Sequence, residues 1–307
     1  MRCLVAIVGP TAVGKSDLAI QIARKYGGEI INGDSRQIYK YMDIGTAKPN
    51  PAQQRLIPHH LLDIILPDQS YSVSLYQQSA FKVIDDIQNR AGLPLLVGGS
   101  GQYIWSVIEG WSIPRVAPDQ DFRLRLESRA GQQGAKELYQ ELKDIDPLAA
   151  SRILPNNLRR IIRALEIYHS TGVKPSELQV KTGLPYPVLI LGLTCPREQL
   201  YSFIDRRTDG MIKAGFVDEV KGLLSMGYSP GLPSMSSLGY RQLAAYLRQE
   251  SNLETAVQNI KFETHRFARA QYAWFRLKDK RIKWLQAGDD INDEINYTIK
   301  TFLESAG

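Results

Sequence analysis

The octapeptide Gly9, Pro10, Thr11, Ala12, Val13, Gly14, Lys15, Ser16 has the residue types and spacing to hold a phosphate group. It satisfies G-x-x-x-x-G-K-[ST], in which glycines let backbone amides turn inward on the oxygens, the lysine neutralises them and the final hydroxyl can ligand Mg²⁺. Ser16 is therefore the candidate metal ligand. An accidental glycine-rich turn could share these letters, but here the apolar run Cys3 to Val8 precedes them and an amphipathic stretch from Ser16 to Tyr26 follows. That order predicts strand, loop and helix, with the helix N-terminus adding its partial positive charge to the phosphate site. The loop does not name a reaction, because ATPases, kinases and other transferases need the same cradle.

Two further side chains could complete such a site. Asp34 lies in Asn32-Gly33-Asp34-Ser35-Arg36-Gln37, just beyond a second predicted strand at Glu29 to Asn32, at the carboxyl edge where open α/β sheets place ligands. Gly-Asp-Ser also suits a cap or a turn. As a chemical group, Asp34 would be a carboxylate facing the phosphate loop and free to accept a proton from a nucleophile. Arg207 shares a helix face with Leu200, Ile204 and Met211. A guanidinium in an apolar stripe must be paired or snorkel outward, and a pyrophosphate or a core carboxylate would serve equally. Arg206 points about 100° away and reads as a solvated charge.

A kinase or ATPase would require an acidic residue ending a core strand to hold Mg²⁺. The apolar run Leu93 to Val97 instead enters Gly98, Gly99, Ser100 and Gly101, a loop suited to close approach by a ligand, which leaves Asp63 as the substitute.

The elements that must carry these groups alternate. Apolar runs at His60 to Ile65, Leu93 to Val97 and Val188 to Leu193 are separated by helical stretches such as Ser74 to Gln88, the pattern of a parallel sheet covered by helices. Between Arg115 and Pro187 strand signals vanish and the chain reads as helices over Asp119 to Ala130, Ala135 to Asp144 and Asn157 to His169. The expected fold is α/β, a P-loop NTPase-like parallel sheet core with an inserted all-helical subdomain. Its parts would be 1–115, an insertion over 116–186, and a mainly helical 187–307.

Length and composition agree with a globular chain. The 307 residues can bury a substantial core, 43% are hydrophobic and 23% charged, and no run of 18 apolar residues or secretory leader is present. A cytoplasmic, monomeric protein without a membrane partner is the expectation. Cys3 and Cys195 are too few for a disulfide framework or a sulfur-ligated zinc site.

The net charge of +6 suits a polyanionic partner as well as ordinary solubility, so the placement of the basic residues matters. Arg159 and Arg163 share a helix face opposite Leu158, Ile161, Ile162 and Leu165, with Arg160 beside them. His265, Arg269, Tyr272 and Arg276 recur on another face, near Trp274 and Phe275. Either face could be a wet surface, or could meet backbone phosphates with aromatics stacking on unpaired bases. Asp289, Asp290 and Asp293 match an Asp-rich magnesium motif of chain-elongating prenyl synthases, but after Gly288 a turn and helix start is the favoured reading.

Taken in order, GPTAVGKS at Gly9, GDSRQIYKYMDIGTAKP at Gly33, PHHLLDI at Pro58, VGGSGQY at Val97, NNLRRIIRALEIY at Asn156, LGYRQ at Leu238 and RFARAQYAWFR at Arg266 span nearly the whole chain. In these segments the sequence resembles the bacterial tRNA dimethylallyltransferases, also called tRNA isopentenyltransferases. The resemblance implies transfer of a dimethylallyl group from dimethylallyl diphosphate, with Mg²⁺, to the exocyclic amine of the adenosine 3′ of the anticodon. It implies that Thr11 to Ser16 hold the diphosphate, that Asp34 is the general base and that Arg207, with Lys15, stabilises the leaving pyrophosphate. It also implies tRNA contacts at Asp34, Ser35, Arg36, Gln37, Ser100 and Arg123, and at Arg159, Arg160, Ile161, Ile162 and Arg163. The inserted helices would clasp the anticodon stem loop while the target base flips into a channel. Ser16 and Ser100 stand where many relatives have threonine, and the zinc-finger extension of eukaryotic relatives is missing.

Overall fold

The structure, a computed structural model, describes residues 2–114, 116–178, 180–287 and 292–306. By contacts the chain divides into two compact units, Met1–Ile108 with Leu184–Gly307, and Glu109–Gly183. The first unit opens with β1 (Leu4–Val8), α1 (Lys15–Tyr26), β2 (Gly28–Asn32), α2 (Pro51–Leu56), β3 (His59–His60), α3 (Val73–Asn89), β4 (Leu93–Val97) and α4 (Gly101–Ile108). The second unit holds α5 (Gln120–Gln133), α6 (Ala135–Ile145), α7 (Pro147–Ala150), α8 (Leu158–Thr171) and α9 (Pro175–Leu178). The first unit then resumes with β5 (Val188–Thr194), α10 (Arg197–Lys213), α11 (Phe216–Ser225), α12 (Tyr240–Leu247), α13 (Leu253–Trp274), β6 (Ile282–Gln286) and α14 (Asn292–Ala306).

Six parallel strands form one sheet in the order β3-β2-β4-β1-β5-β6. Every residue of β1 and β4 is buried, as strands covered by helices on both faces require, and this is why their sequences LVAIV and LPLLV show no alternation. Each fully buried Leu or Ile there contributes roughly 1.5–3 kcal/mol. The register Ile7↔Val97 and Val8↔Gly192 brings the carboxyl ends of β4, β1 and β5 level. The phosphate loop and the loop 98–101 therefore leave neighbouring strands at one edge. On α1, Leu18, Ala19, Ile22 and Ala23 face the sheet, and Gly14 and Gly27 close its ends with φ of 95° and 63°.

The structure departs from the sequence reading at two strands. The run His60 to Ile65 is not a continuous strand: Leu61 and Asp63 adopt φ of 61° and 52°, which ends the pairing after His60. The segment instead bonds to the loop after β2 through Asp63 N–H to Gln37 O and Ile64 N–H to Ile38 O. Conversely, β6 was not expected in a tract read as helical. It is a five-residue edge strand carrying Lys283, and charge on an edge masks the apolar signal. Its Trp284 lies over Gly192, where a Cβ would come within 2.6 Å of the indole ring.

The second unit has its own core, with Leu126, Leu138, Leu142, Ile161, Ile162 and Leu165 at its centre. Asp119, Asp146 and Asn157 cap α5, α7 and α8 through their side chains. The sequence reading bounded an insertion at 116–186, whereas the second unit runs from 109 to 183, where a bridge pairs Trp111 with Lys181.

Candidate active site

The phosphate loop is held open by backbone geometry that its residues permit. Gly9 has φ 141°, and a Cβ there would lie 2.4 Å from Leu193 O, so only glycine lets β1 turn away beside β5. Ala12 has φ 67°, and buried Val13 pins the loop to the core. The ammonium of Lys15 folds back onto Pro10 O at 2.6 Å, and Arg207 donates from α10 to Thr11 Oγ1 at 3.2 Å. Among the described residues neither cation forms an ion pair with a carboxylate. Of the two partners left open for Arg207, a core carboxylate is not bonded to it among the described residues, and the guanidinium reaches the phosphate loop. Arg206 is exposed, over the ring of Phe203.

Both cations respond to this setting. Burial, then the Arg207 guanidinium, pulls Lys15 down to about 8, and Asp34 offsets part of the shift. Burial likewise lowers Arg207, with Asp34 opposing. Two half-buried positive groups that pair with no carboxylate among the described residues form a site for a multiply charged anion. Below pH 8 the empty protein therefore carries a charged, partly desolvated Lys15. Stability should rise with pH between about 8 and the unfolded lysine value of about 10.4, because the native state releases its proton first. A bound diphosphate favours the charged lysine, so binding should take up a proton near and above pH 8. Once the ligand's own ionisations are subtracted, the affinity for inorganic pyrophosphate, followed by calorimetry in buffers of different ionisation enthalpy, is expected to be flat below about pH 8 and to fall above it.

Asp34 is placed by a chain of hydrogen bonds beginning in α3. Tyr76 stacks on Tyr103 with centroids 3.7 Å apart and donates to Asn32 O at 2.9 Å. The Asn32 amide accepts from Asp34 N–H and donates to Asp34 O and Leu61 O. Asp34 Oδ1 accepts from Arg36 N–H at 2.8 Å. The turn role foreseen for Asp34 is thus real, and it occupies one carboxylate oxygen. Among the described residues the other oxygen accepts no hydrogen bond, and Asp34 lines a cavity of about 470 Å³ together with Thr11, Ala12 and Arg207.

Ser35, Arg36 and Ser100 also line this cavity. Ser100 Oγ accepts from Ser35 N–H at 2.9 Å and bonds to Ser35 Oγ at 3.2 Å, which ties the loops after β2 and β4 together. Gln37 does not line it; its amide donates to Thr46 O and Ala47 O. Ser16, exposed in the first turn of α1, borders a small separate recess with Asn32, Gln37 and His59.

The remaining predicted residues belong to the second unit. Arg159 and Arg160 are exposed on α8. Arg123 and Arg163 both pair with Glu166, which is 1% exposed and also accepts from Asp119 N–H. Ile161 and Ile162 are 0% and 4% exposed, and their side chains build the helical core. The second basic face also changes character. His265 bonds Asp205, Tyr272 bonds Thr194 and Arg269 bonds Tyr201, so much of that face is a packing seam between α13, α10 and β5, and Phe275 is buried.

Asp63 bonds Lys48 at 2.5 Å, where Asp43 meets the same ammonium, and it does not line the cavity. The metal ligand that a kinase would need is therefore spent on a lysine. Among the described residues no group of three or more His, Cys, Asp or Glu is placed to hold a metal ion. Asp289 and Asp290 lie outside the described residues, and Asp293 stands in the first turn of α14.

One site residue escaped notice in the sequence. Gln271 of α13 is 4% exposed; its Oε1 accepts from Thr11 N–H at 2.8 Å and its amide donates to Gly99 O at 3.0 Å. A Cβ on Gly99 would meet that amide at 2.3 Å, which explains the glycine. The available signal was an uncharged polar residue on the face that carries Ala268 and Phe275, three before and four after it. Gln271→Leu keeps the bulk but leaves one buried donor and one acceptor unpaired. It is expected to destabilise the protein by roughly 2 kcal/mol or more in urea unfolding and to weaken pyrophosphate binding.

These features define a P-loop α/β protein with a deep cavity between an anion site and a partly free carboxylate. Comparison with known proteins carries the assignment further. A family model described as IPP transferase matches residues 37–278. The chain is 53% identical over 273 residues to a tRNA dimethylallyltransferase of Roseiflexus castenholzii, covering 89% of each chain. Its fold is similar to the crystal structure of a tRNA isopentenylpyrophosphate transferase from Bacillus halodurans, with a TM-score of 0.72, 39% identity, and 100% and 97% of the two chains covered. A eukaryotic dimethylallyltransferase acting on tRNA gives a TM-score of 0.85 at 28% identity, covering 100% of this chain and 81% of that one. The chain belongs to the tRNA dimethylallyltransferase family. No described helix is long and apolar enough to cross a membrane.

Proposed function

We propose that this protein transfers a dimethylallyl group from dimethylallyl diphosphate to the N6 amine of the adenosine 3′ of the anticodon in tRNA, releasing diphosphate. The observation that carries this reading is the pairing, in one cavity, of Arg207 bonded to Thr11 with the half-free carboxylate of Asp34. The diphosphate lies against the phosphate loop, where the first-turn amides of α1 have no intrahelical partner. As the carbon–oxygen bond of the allylic ester lengthens, negative charge grows on the leaving oxygens, and Lys15 and Arg207 stabilise it more strongly than in the ground state. The amine attacks the allylic carbon and its proton passes to the free oxygen of Asp34 as the new bond forms, because an aryl amine is too weak an acid to lose it beforehand.

Mg²⁺ would neutralise part of the diphosphate charge when bound. The donor set fits such an ion: Ser16 supplies one exposed hydroxyl with no carboxylate cage around it among the described residues, and Mg²⁺ readily completes its shell from phosphate oxygens and water. Arg159 and Arg160, with Arg123 and Arg163 fixed on Glu166, would meet backbone phosphates of the anticodon stem loop, and the chain would act as a soluble monomer. Purified protein given Mg²⁺, dimethylallyl diphosphate and unmodified tRNA with an adenosine-rich anticodon loop should increase the tRNA mass by one prenyl group per molecule. Unchanged mass would overturn the reading.

A further inference from the structure

We infer that Glu219 is a positioning residue for the half of the cavity that receives the acceptor base, an inference resting on the function proposed above. The cavity lining falls into two groups by the elements that carry it. One is the anion site at Thr11, Ala12 and Arg207. The other is built from Gly45, Thr46, Phe216 and Ser236 to Leu238, in the segments after β2 and around α11 and α12. Among the described residues, none of that second set touches the phosphate loop through a hydrogen bond.

Glu219 holds this second group together. Its Oε2 accepts from Asp43 N–H at 2.9 Å and Ile44 N–H at 2.7 Å, and its Oε1 from Gly45 N–H at 3.2 Å and the Tyr240 hydroxyl at 2.6 Å. Three successive amides converging on one anion form a nest, here filled by the protein's own carboxylate. Tyr240 in turn meets the Phe216 ring edge-on, with centroids 5.0 Å apart. Phe216 is wedged between two glycines: a Cβ on Gly45 would lie 2.2 Å from the ring, and one on Gly239 would lie 2.4 Å from it. Phe216 is 1% exposed and Tyr240 is fully buried, so the ring has no space into which to relax.

The wall formed by Gly45 and Phe216 therefore depends on one carboxylate that does not itself line the cavity. Without it the nest loses its anion, the segment Asp43 to Gly45 is released, and the ring loses the tyrosine that braces it. The segment shares its loop with Asp34 to Gln37, so the consequence falls on placing the base amine against Asp34 and not on holding the diphosphate.

Steady-state kinetics of Glu219→Ala, Glu219→Gln and Tyr240→Phe test this. Glu219→Ala is expected to raise KM for tRNA, or lower kcat at saturating tRNA, by about tenfold or more. KM for dimethylallyl diphosphate and the affinity for inorganic pyrophosphate should stay within about twofold of wild type. Glu219→Gln, whose single amide oxygen can still accept from Asp43 N–H and Ile44 N–H but whose NH₂ would face Gly45 N–H, should recover part of the loss, and Tyr240→Phe should show a smaller change of the same kind. Pyrophosphate affinity falling in parallel with tRNA turnover would make Glu219 a general fold support and overturn the inference, as would wild-type kinetics in Glu219→Ala. If Glu219→Ala does not fold, Glu219→Gln and Tyr240→Phe decide: a tRNA-selective loss in Tyr240→Phe sustains it and wild-type behaviour in both removes it. Absence of prenyl transfer by the wild-type protein would instead strike the proposed function itself.

Discussion

Asp34→Asn should lower kcat for prenyl transfer by about 10²–10⁴-fold, the range over which a positioned general base acts, while leaving pyrophosphate affinity and tRNA binding close to wild type. The substitution is nearly isosteric, and the bond from Arg36 N–H to Oδ1 can still be accepted by an amide oxygen, so the turn survives. What disappears is the second oxygen, which accepts no hydrogen bond among the described residues, on a residue that lines the cavity. Single-turnover measurements with prebound tRNA isolate this step from product release. Asp34→Ala would add the loss of the turn bond, so a similar rate for both variants would attribute the defect to proton acceptance, whereas a near-normal rate in Asp34→Asn would remove Asp34 from that role.

Arg207→Gln should cost about 10²–10³-fold in kcat, the scale on which a donor aimed at developing charge acts in a water-poor site. The Asp34 carboxylate offsets part of the desolvation of this guanidinium, and among the described residues no carboxylate is bonded to it, as expected of a group whose counterion arrives with the substrate. Pyrophosphate affinity should fall less than kcat does, because the same donor gains strength as charge collects on the leaving oxygens. Arg207→Lys is expected to recover little, since a single ammonium cannot reproduce a planar fork against both Thr11 and phosphate oxygens. Equal losses in binding and in kcat would mean that Arg207 holds the diphosphate without favouring its departure.

Much of this architecture was legible before any coordinates. Buried parallel strands write themselves as unbroken apolar runs, so β1, β4 and β5 were visible, and the glycine spacing of the phosphate loop follows from local backbone demands. The elements that failed to show are those decided by distant partners. The tract after His60 looked like a strand, yet left-handed residues at Leu61 and Asp63 turn it toward Ile38. The β6 strand is an edge whose pairing with Ile190 to Thr194 supplies what its charged composition hides.

The site divides in the same way. Lys15, Ser16 and Asp34 sit in short local motifs, whereas Gln271 reaches Thr11 across 260 positions and Glu219 reaches Ile44 across 175. Helical periodicity placed Arg207 on an inward face but could not choose its partner. It also set Ile161 and Ile162 opposite the arginines of α8, and both side chains are core.

The most direct test of the central claim is nucleoside mass analysis of tRNA after reaction with dimethylallyl diphosphate and Mg²⁺, run in parallel on wild type and Asp34→Asn. An anion site at the carboxyl edge of the sheet acting opposite a proton-accepting carboxylate predicts N6-dimethylallyl adenosine from the wild type and traces of it from the variant. Unmodified adenosine from the wild type, or equal yields from both proteins, would contradict it.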